Sequence, residues 1–196
     1  KWRVAGQPYA RIDTADKVNG SKVYGADLQM PGMLCASVKS CPVFGGKLVS
    51  YDEAKVLRMR GVKGVVQINE NTVAVVADTW WRANTALNAL PIVWDEGKAG
   101  NVSQDDINKM LRSGLDEQGD FWQRMVGDAP QAINSSAKKV EAIYFTPYRA
   151  HVTMEPMNAT VKISGDRAEA WVPTQNGEGS LAALSEATGI PLANCE

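Results

Sequence analysis

Ala168-Glu169-Ala170-Trp171-Val172-Pro173-Thr174-Gln175-Asn176 begins with the period-two alternation of an extended strand, and Pro173 closes it. Gly177 and Gly179 follow at once, and Leu181, Leu184 and Ala187 then recur at helical spacing. Gly189 and Pro191 stand where a helix stops, a Gly just past the last turn and a Pro soon after. The stretch therefore reads as strand, corner and helix. Ligand contacts in α/β proteins gather at such corners. There the carboxamide of Gln175 offers a donor and an acceptor beside the free backbone N–H groups of a helix start. A Gln at a strand end equally serves to satisfy a neighbouring backbone group, and spacing alone leaves both roles open.

Working outward, Lys139–Thr146, Ala159–Ile163 and Arg167–Val172 read as three strands, and Leu192–Glu196 as the approach to a fourth. Residues 97–136 turn polar, with one short helix capped by Ser103 and carrying Ile107, Met110 and Leu111. The first hundred residues read as a compact α/β unit. Met33–Lys39 is a strand, entered through Met30-Pro31-Gly32. Ser50 and Glu53 have the spacing of a capping box, opening a helix with Ala54, Val56 and Leu57 that ends near Arg60-Gly61. Val62–Ile68 and Thr72–Ala77 form a hairpin across Asn69-Glu70-Asn71. Asp78 is positioned to cap a second helix with Trp80, Ala83, Leu87 and Leu90 on one face, stopped by Pro91 before the strand Ile92-Val93-Trp94. Adjacent helical residues point about 100° apart, so Trp80 is expected inward and Trp81 at the rim.

Composition bounds the function classes. A chain of 196 residues with net charge −1 and scattered Lys and Arg has no electrostatic footprint for nucleic acid. No apolar run reaches membrane-spanning length. Lys1-Trp2-Arg3 carries no signal-like stretch, so any targeting segment is expected to be removed or to lie outside these residues. Cys35, Cys41 and Cys195 are too few and irregular for a disulfide framework or a zinc ribbon. Along a strand, Cys35 and Cys41 stand about 20 Å apart, whereas a disulfide needs Cα atoms within about 7 Å.

His151 is the single histidine. Its i,i+4 spacing to Glu155 would suit a metal pair on a helix, but Thr153 and Pro156 oppose a helix there, and two ligands do not close a zinc site. A structural hydrogen-bonded pair at a strand junction is the expected role. No Gly-x-Ser-x-Gly nucleophile elbow is present, and Gly45-Gly46-Lys47 lacks the spacing of a phosphate-binding loop.

Six segments carry a resemblance. They are Arg11–Gly20 (RIDTADKVNG), Tyr24-Gly25-Ala26-Asp27 and Pro31-Gly32-Met33-Leu34, then Val75–Asp78 with Trp81-Arg82-Ala83, His151–Pro156 (HVTMEP) and Trp171–Asn176 (WVPTQN). In this order the chain resembles the molybdenum hydroxylases of the xanthine oxidase and aldehyde oxidoreductase family, most nearly the large subunit of the isoquinoline 1-oxidoreductase type.

The resemblance implies an α+β chain: an α/β hammerhead domain over residues 10–97, a connector over 98–136, and over 137–196 the incomplete start of a molybdopterin-binding domain. It gives Gln175 a cofactor role, as hydrogen-bond donor to an oxygen on molybdenum. The family hydroxylates an electron-poor carbon of an aldehyde or N-heterocycle with oxygen from water, assisted by a Glu base, and passes electrons to iron–sulfur clusters. No iron–sulfur Cys pattern occurs here, which implies a partner small subunit for the clusters. The family's Gly-Gly-Gly-Phe-Gly loop, later cofactor loops and base Glu are expected beyond Glu196, so Glu155 is given a structural role. The chain is then a fragment, expected neither to hold molybdopterin (in the full enzyme, the cytosine dinucleotide form) nor to turn over alone. Export by a twin-Arg signal to the periplasm would suit the isoquinoline type. The rival class is a non-catalytic binding or interaction domain with a hammerhead-like fold, in which Gln175 and His151 have no chemistry.

Overall fold

A computed structural model of the chain describes residues 2–117 and 126–196. Residues 118–125 of the connector lie outside the described residues. The elements are α1 (Thr14–Val18), β1 (Cys35–Ser40), β2 (Lys47–Tyr51), β3 (Val62–Asn69) and β4 (Thr72–Ala77). Next come α2 (Trp80–Ala89), β5 (Ile92–Asp95), α3 (Gln104–Ser113) and α4 (Ala129–Ser135). β6 (Thr160–Ser164), β7 (Arg167–Trp171) and α5 (Gly177–Thr188) complete the order, a mixture of helix and strand. Contacts divide the chain into a central unit, Gly32–Tyr144, and a terminal unit, Lys1–Pro31 with Phe145–Glu196.

In the central unit, β4 lies between β1 and β3, antiparallel to both. Its sequence explains the place. Thr72–Ala77 (TVAVVA) is apolar at nearly every position, as a strand covered on both sides must be, and all but Val76 are buried. The expected hairpin across residues 69–71 is present, with β3 and β4 in continuous register from Gly64↔Val76 to Gln67↔Val73 and a bulge before Asn69↔Thr72. α2 lies over β1 and β4. Ala86, Leu87 and Leu90 meet Val56, Val73 and Val75 in the core, with Leu48, Tyr51, Ile92 and Trp94 from the β2–β5 pair packed against it. Ser37 of β1 adds a polar tie to the same helix, its hydroxyl donating to Asn84 Oδ1 at 3.3 Å.

Several local readings are corrected here. Ser50 does not cap a helix over 50–60. It belongs to β2 and pairs with Val93 of β5. After β2 the chain makes only one 3-10 turn, Glu53–Lys55, capped by Asp52, whose Oδ1 accepts from Ala54 N at 3.1 Å. A segment this short does not offset the cost of helix nucleation once its first residues pair in a sheet. The cap of α2 is Thr79, not Asp78; Thr79 Oγ1 accepts from Arg82 N at 3.3 Å while Asp78 ion-pairs with Arg82. Trp80 does not face inward: it is 56% exposed and Trp81 71%, because the stripe that meets the sheet is Ala83, Ala86, Leu87 and Leu90. Small residues there let the helix lie close to β1 and β4. Lys139–Thr146 is not a strand, and Val140, Ile143, Tyr144 and Phe145 are exposed. Apolar alternation makes no strand without a ladder partner for its backbone.

The helix capped by Ser103 forms as read. Ser103 Oγ accepts from Asp106 N at 3.2 Å, and Asp106 Oδ2 accepts from Ser103 N at 3.0 Å, a reciprocal capping box.

In the terminal unit, β6 and β7 form a hairpin whose two-residue turn places Gly165 at φ 61°. Residues 195 and 196 pair with the free side of β7: Cys195 bridges Ala168 in parallel, Glu196 N donates to Ala168 O at 2.9 Å, and Ala170 N donates to Glu196 O at 2.8 Å. The strand approach read over Leu192–Glu196 is present only at its end, since Leu192–Asn194 forms a 3-10 turn before Cys195 and Glu196 pair. α5 packs on β7, burying Leu184. It ends where the sequence places the stop, Gly189 at φ 70° donating to Ser185 O.

Candidate functional site

The corner after β7 is built by the residues on either side of Gln175. Thr174 Oγ1 accepts from Asn176 N at 3.0 Å and from Ser180 Oγ at 3.0 Å. Asn176 is the N-cap of α5, its Oδ1 accepting from Gly179 N at 2.9 Å. A β-carbon on Gly179 would lie 2.7 Å from Asn176 Nδ2, so the cap needs glycine at that position. Both neighbours are thus committed to the turn. Gln175 lies exposed between them and makes no side-chain hydrogen bond among the described residues. Its carboxamide extends from a hydrogen-bonded corner with its own hydrogen-bonding capacity unspent, next to the partial positive charge of the α5 N-terminus. The backbone-satisfying role left open by the sequence is not the one observed.

Just upstream, Ala170–Pro173 lines a cleft of about 570 Å³. Tyr24, Gly25 and Leu28 line it too, with the charged residues Glu155, Asp13, Lys17 and Lys22. Its charges are largely paired. Lys17 Nζ donates to Asp13 Oδ2 at 2.6 Å and Arg11 reaches the same carboxylate at 3.0 Å, while Lys22 lies 3.5 Å from Asp16. The Lys17 bond, with that from Arg11, holds the Asp13 carboxyl far below the usual carboxylate range. The cleft is a mixed apolar and ion-paired surface, without the excess positive charge of an anion site.

The expected His151–Glu155 pair does not form. His151 is exposed and without a side-chain hydrogen bond among the described residues. Glu155 Oε1 instead accepts from the backbone N–H of Gly25 at 3.3 Å. The segment between is not helical, which places the two side chains out of helical register. Among the described residues, no three His, Cys, Asp or Glu side chains gather as a metal-ligand set, and no helix is long and apolar enough to cross a membrane. Gly25 was not singled out in the sequence as a partner of Glu155. The signal that pointed at Gly25 was membership of the Tyr24–Asp27 segment of the resemblance.

The chain is 29% identical over 190 residues to the beta chain of isoquinoline 1-oxidoreductase from Brevundimonas diminuta, a match covering 89% of this chain and 23% of that one. The chain is similar in sequence to subunits of molybdenum-dependent oxidoreductases. It is also 26% identical over 185 residues to a nicotinate dehydrogenase chain of Pseudomonas putida, covering 89% of this chain and 15% of the relative. The fold agrees with that of quinoline 2-oxidoreductase from Pseudomonas putida 86, with a TM-score of 0.69 at 18% identity over 97% of this chain and 29% of that one. No family model matches the chain. It spans less than a quarter of the length of the two curated relatives described.

Proposed function

We propose that this chain is a part of the molybdopterin-binding large subunit of an oxidoreductase that hydroxylates an aldehyde or N-heterocycle with oxygen from water. Electrons leave to an iron–sulfur small subunit. The observation that supports this reading most is the similarity to isoquinoline 1-oxidoreductase across 89% of the chain. On the same reading, residues 10–97 are the α/β hammerhead domain, with their packed part in the central unit from Gly32 onward. Residues 98–136 are the connector, and 137–196 open the molybdopterin-binding domain.

The corner fits a cofactor contact by its donor set. A neutral carboxamide with a free NH₂ group suits an oxygen acceptor and is a poor ligand for a metal. When bound, the molybdopterin cofactor (proposed as its cytosine dinucleotide form) provides a nucleophile from water at neutral pH and takes up the substrate's electrons. Gln175 Nε2 would donate towards an oxygen of that group. Thr174 and Asn176 fix the backbone turn from which that side chain extends. The base Glu and the remaining cofactor loops are assigned to sequence beyond Glu196, and no catalytic base is assigned within these residues.

A donor aimed at developing charge contributes about 3–4 kcal/mol in the transition state. Gln175→Ala in the full-length enzyme should therefore lower turnover by roughly a hundredfold or more. The measurement is steady-state kinetics at full cofactor occupancy. Near-normal turnover in that variant would remove the role from Gln175.

A further inference from the structure

Two segments that the proposed function leaves without chemistry, Tyr24–Asp27 and His151–Pro156, meet in the terminal unit. Gly25 N–H donates to Glu155 Oε1 at 3.3 Å, across 130 positions of sequence. The turn that presents this N–H is closed by its own ends, with Asp27 N donating to Tyr24 O and Tyr24 N donating to Asp27 Oδ2, each at 3.0 Å. On the other side, Thr153 Oγ1 donates to Glu155 O at 2.7 Å and Asn158 Nδ2 donates to Pro156 O at 2.7 Å. Those bonds fix both the Glu155 backbone and the Asn158 amide.

The fixed amide turns Asn158 Oδ1 onto the α-carbon of Gly25. A β-carbon at position 25 would overlap that oxygen and lie 3.3 Å from Asn158 Cγ. Gly25 is not among the residues of positive φ. Space, not backbone conformation, is what requires glycine there. Asn158 Oδ1 is buried without a partner among the described residues, a cost accepted where the close approach demands it. Tyr24 and Gly25 of the seated turn line the same cleft as Ala170–Pro173, the strand end that runs directly into the Gln175 corner.

We propose that Glu155 and Asn158 form a latch on Gly25, which holds the Tyr24–Asp27 turn in the cleft that it shares with the end of β7 and so positions Gln175. Glu155 is a positioning residue, acting on the corner through the turn and Trp171–Pro173. The proposal rests on the reading of Gln175 as the functional donor, but its test does not depend on turnover.

In the isotopically labelled full chain, amide exchange at Gly25 and the side-chain amide resonance of Gln175 report the latch. Glu155→Ala should speed Gly25 exchange by about tenfold and shift the Gln175 resonance. Glu155→Gln keeps an oxygen acceptor and should restore both towards the original values. A role limited to general stability would shift neither selectively. Unchanged Gly25 exchange in Glu155→Ala, an unmoved Gln175 resonance, or no recovery in Glu155→Gln would overturn the latch. The steric half has its own check. Gly25→Ala should lower the melting temperature, and Gly25→Ala combined with Asn158→Ala should recover most of the loss, since the blocking oxygen is gone. No recovery in the double variant would overturn it, and if Gly25→Ala alone does not fold, recovery of folding in the double variant is the readout. Normal turnover in Gln175→Ala, with the exchange results as expected, would reject the functional role of Gln175 alone.

Discussion

The Asp78 carboxylate fills the space that a β-carbon on Gly61 would occupy, with Asp78 Cγ only 2.8 Å from that place. Asp78 N also donates to Gly61 O at 3.0 Å, and its carboxylate holds Arg82 in the first turn of α2. Gly61 has φ 82°, so both the backbone and the space favour glycine. Gly61→Ala is expected to cost about 1–3 kcal/mol, read from the midpoint of chemical denaturation. An unchanged midpoint would mean the turn has another conformation.

The two tryptophans of α2 give the opposite expectation. Trp80 and Trp81 are more than half exposed, while Leu87 is 3% exposed in the core. Leu87→Ala should destabilise by about 2–5 kcal/mol. Trp80→Ala and Trp81→Ala in the chain alone should each stay within about 0.5 kcal/mol. A Trp80 variant as damaging as Leu87→Ala in thermal melts would restore the inward orientation that the structure overturns.

Position and chemistry separate at the α5 corner. Asn176→Ala removes a helix cap and should cost about 1 kcal/mol. Gln175→Ala removes an exposed, unbonded side chain and should leave stability within about 0.5 kcal/mol. Melts on the two variants check the contrast. A large loss on Gln175→Ala would show that the amide supports the fold.

A pH effect is expected at α3. Hydrogen bonds from Ser103, the side-chain bond first and the backbone bond next, lower the Asp106 pKa from 3.8. A depressed folded pKa means that the contribution is complete above the unfolded value and is lost as pH falls through the lower folded value. The N-terminus of α3 should therefore stay capped down to mildly acidic pH and fray only below the ordinary Asp range. NMR titration of Asp106 should give a midpoint below 3.8, rising in Ser103→Ala. Equal midpoints in the two proteins would contradict the box.

The 196-residue chain purified alone is expected to carry no stoichiometric molybdenum, iron or zinc. One corner proposed to contact a cofactor does not make the converging first and outer shells that such groups need. Elemental analysis checks this, and one equivalent of tightly held metal would contradict it.

Much of the fold was legible where a signal is local. The buried run Thr72–Ala77, the Ser103 cap, the hairpin on either side of Asn69-Glu70-Asn71 and the Gly189 stop each depend on neighbours within a few residues, so each formed as read. The segment 50–60 carried an equally good local signal and failed. Ser50 pairs with Val93, a residue far along the chain, and a capping box cannot register that competition. Lys139–Thr146 failed in the reverse sense, because its alternation lacked a partner strand.

The sequence by itself determined a mixed α/β chain, its strand-to-helix corner at Thr174-Gln175-Asn176, and the resemblance that gives the corner a role. The tertiary structure decided the rest. It left Gln175 free by committing Thr174 and Asn176 to the turn, turned Trp80 outward, and bound Glu155 to Gly25 instead of His151. The reason is physical. Hydrogen-bond capacity and burial are allotted among all groups that reach the same place, and residues 130 positions apart compete there on equal terms with nearest neighbours.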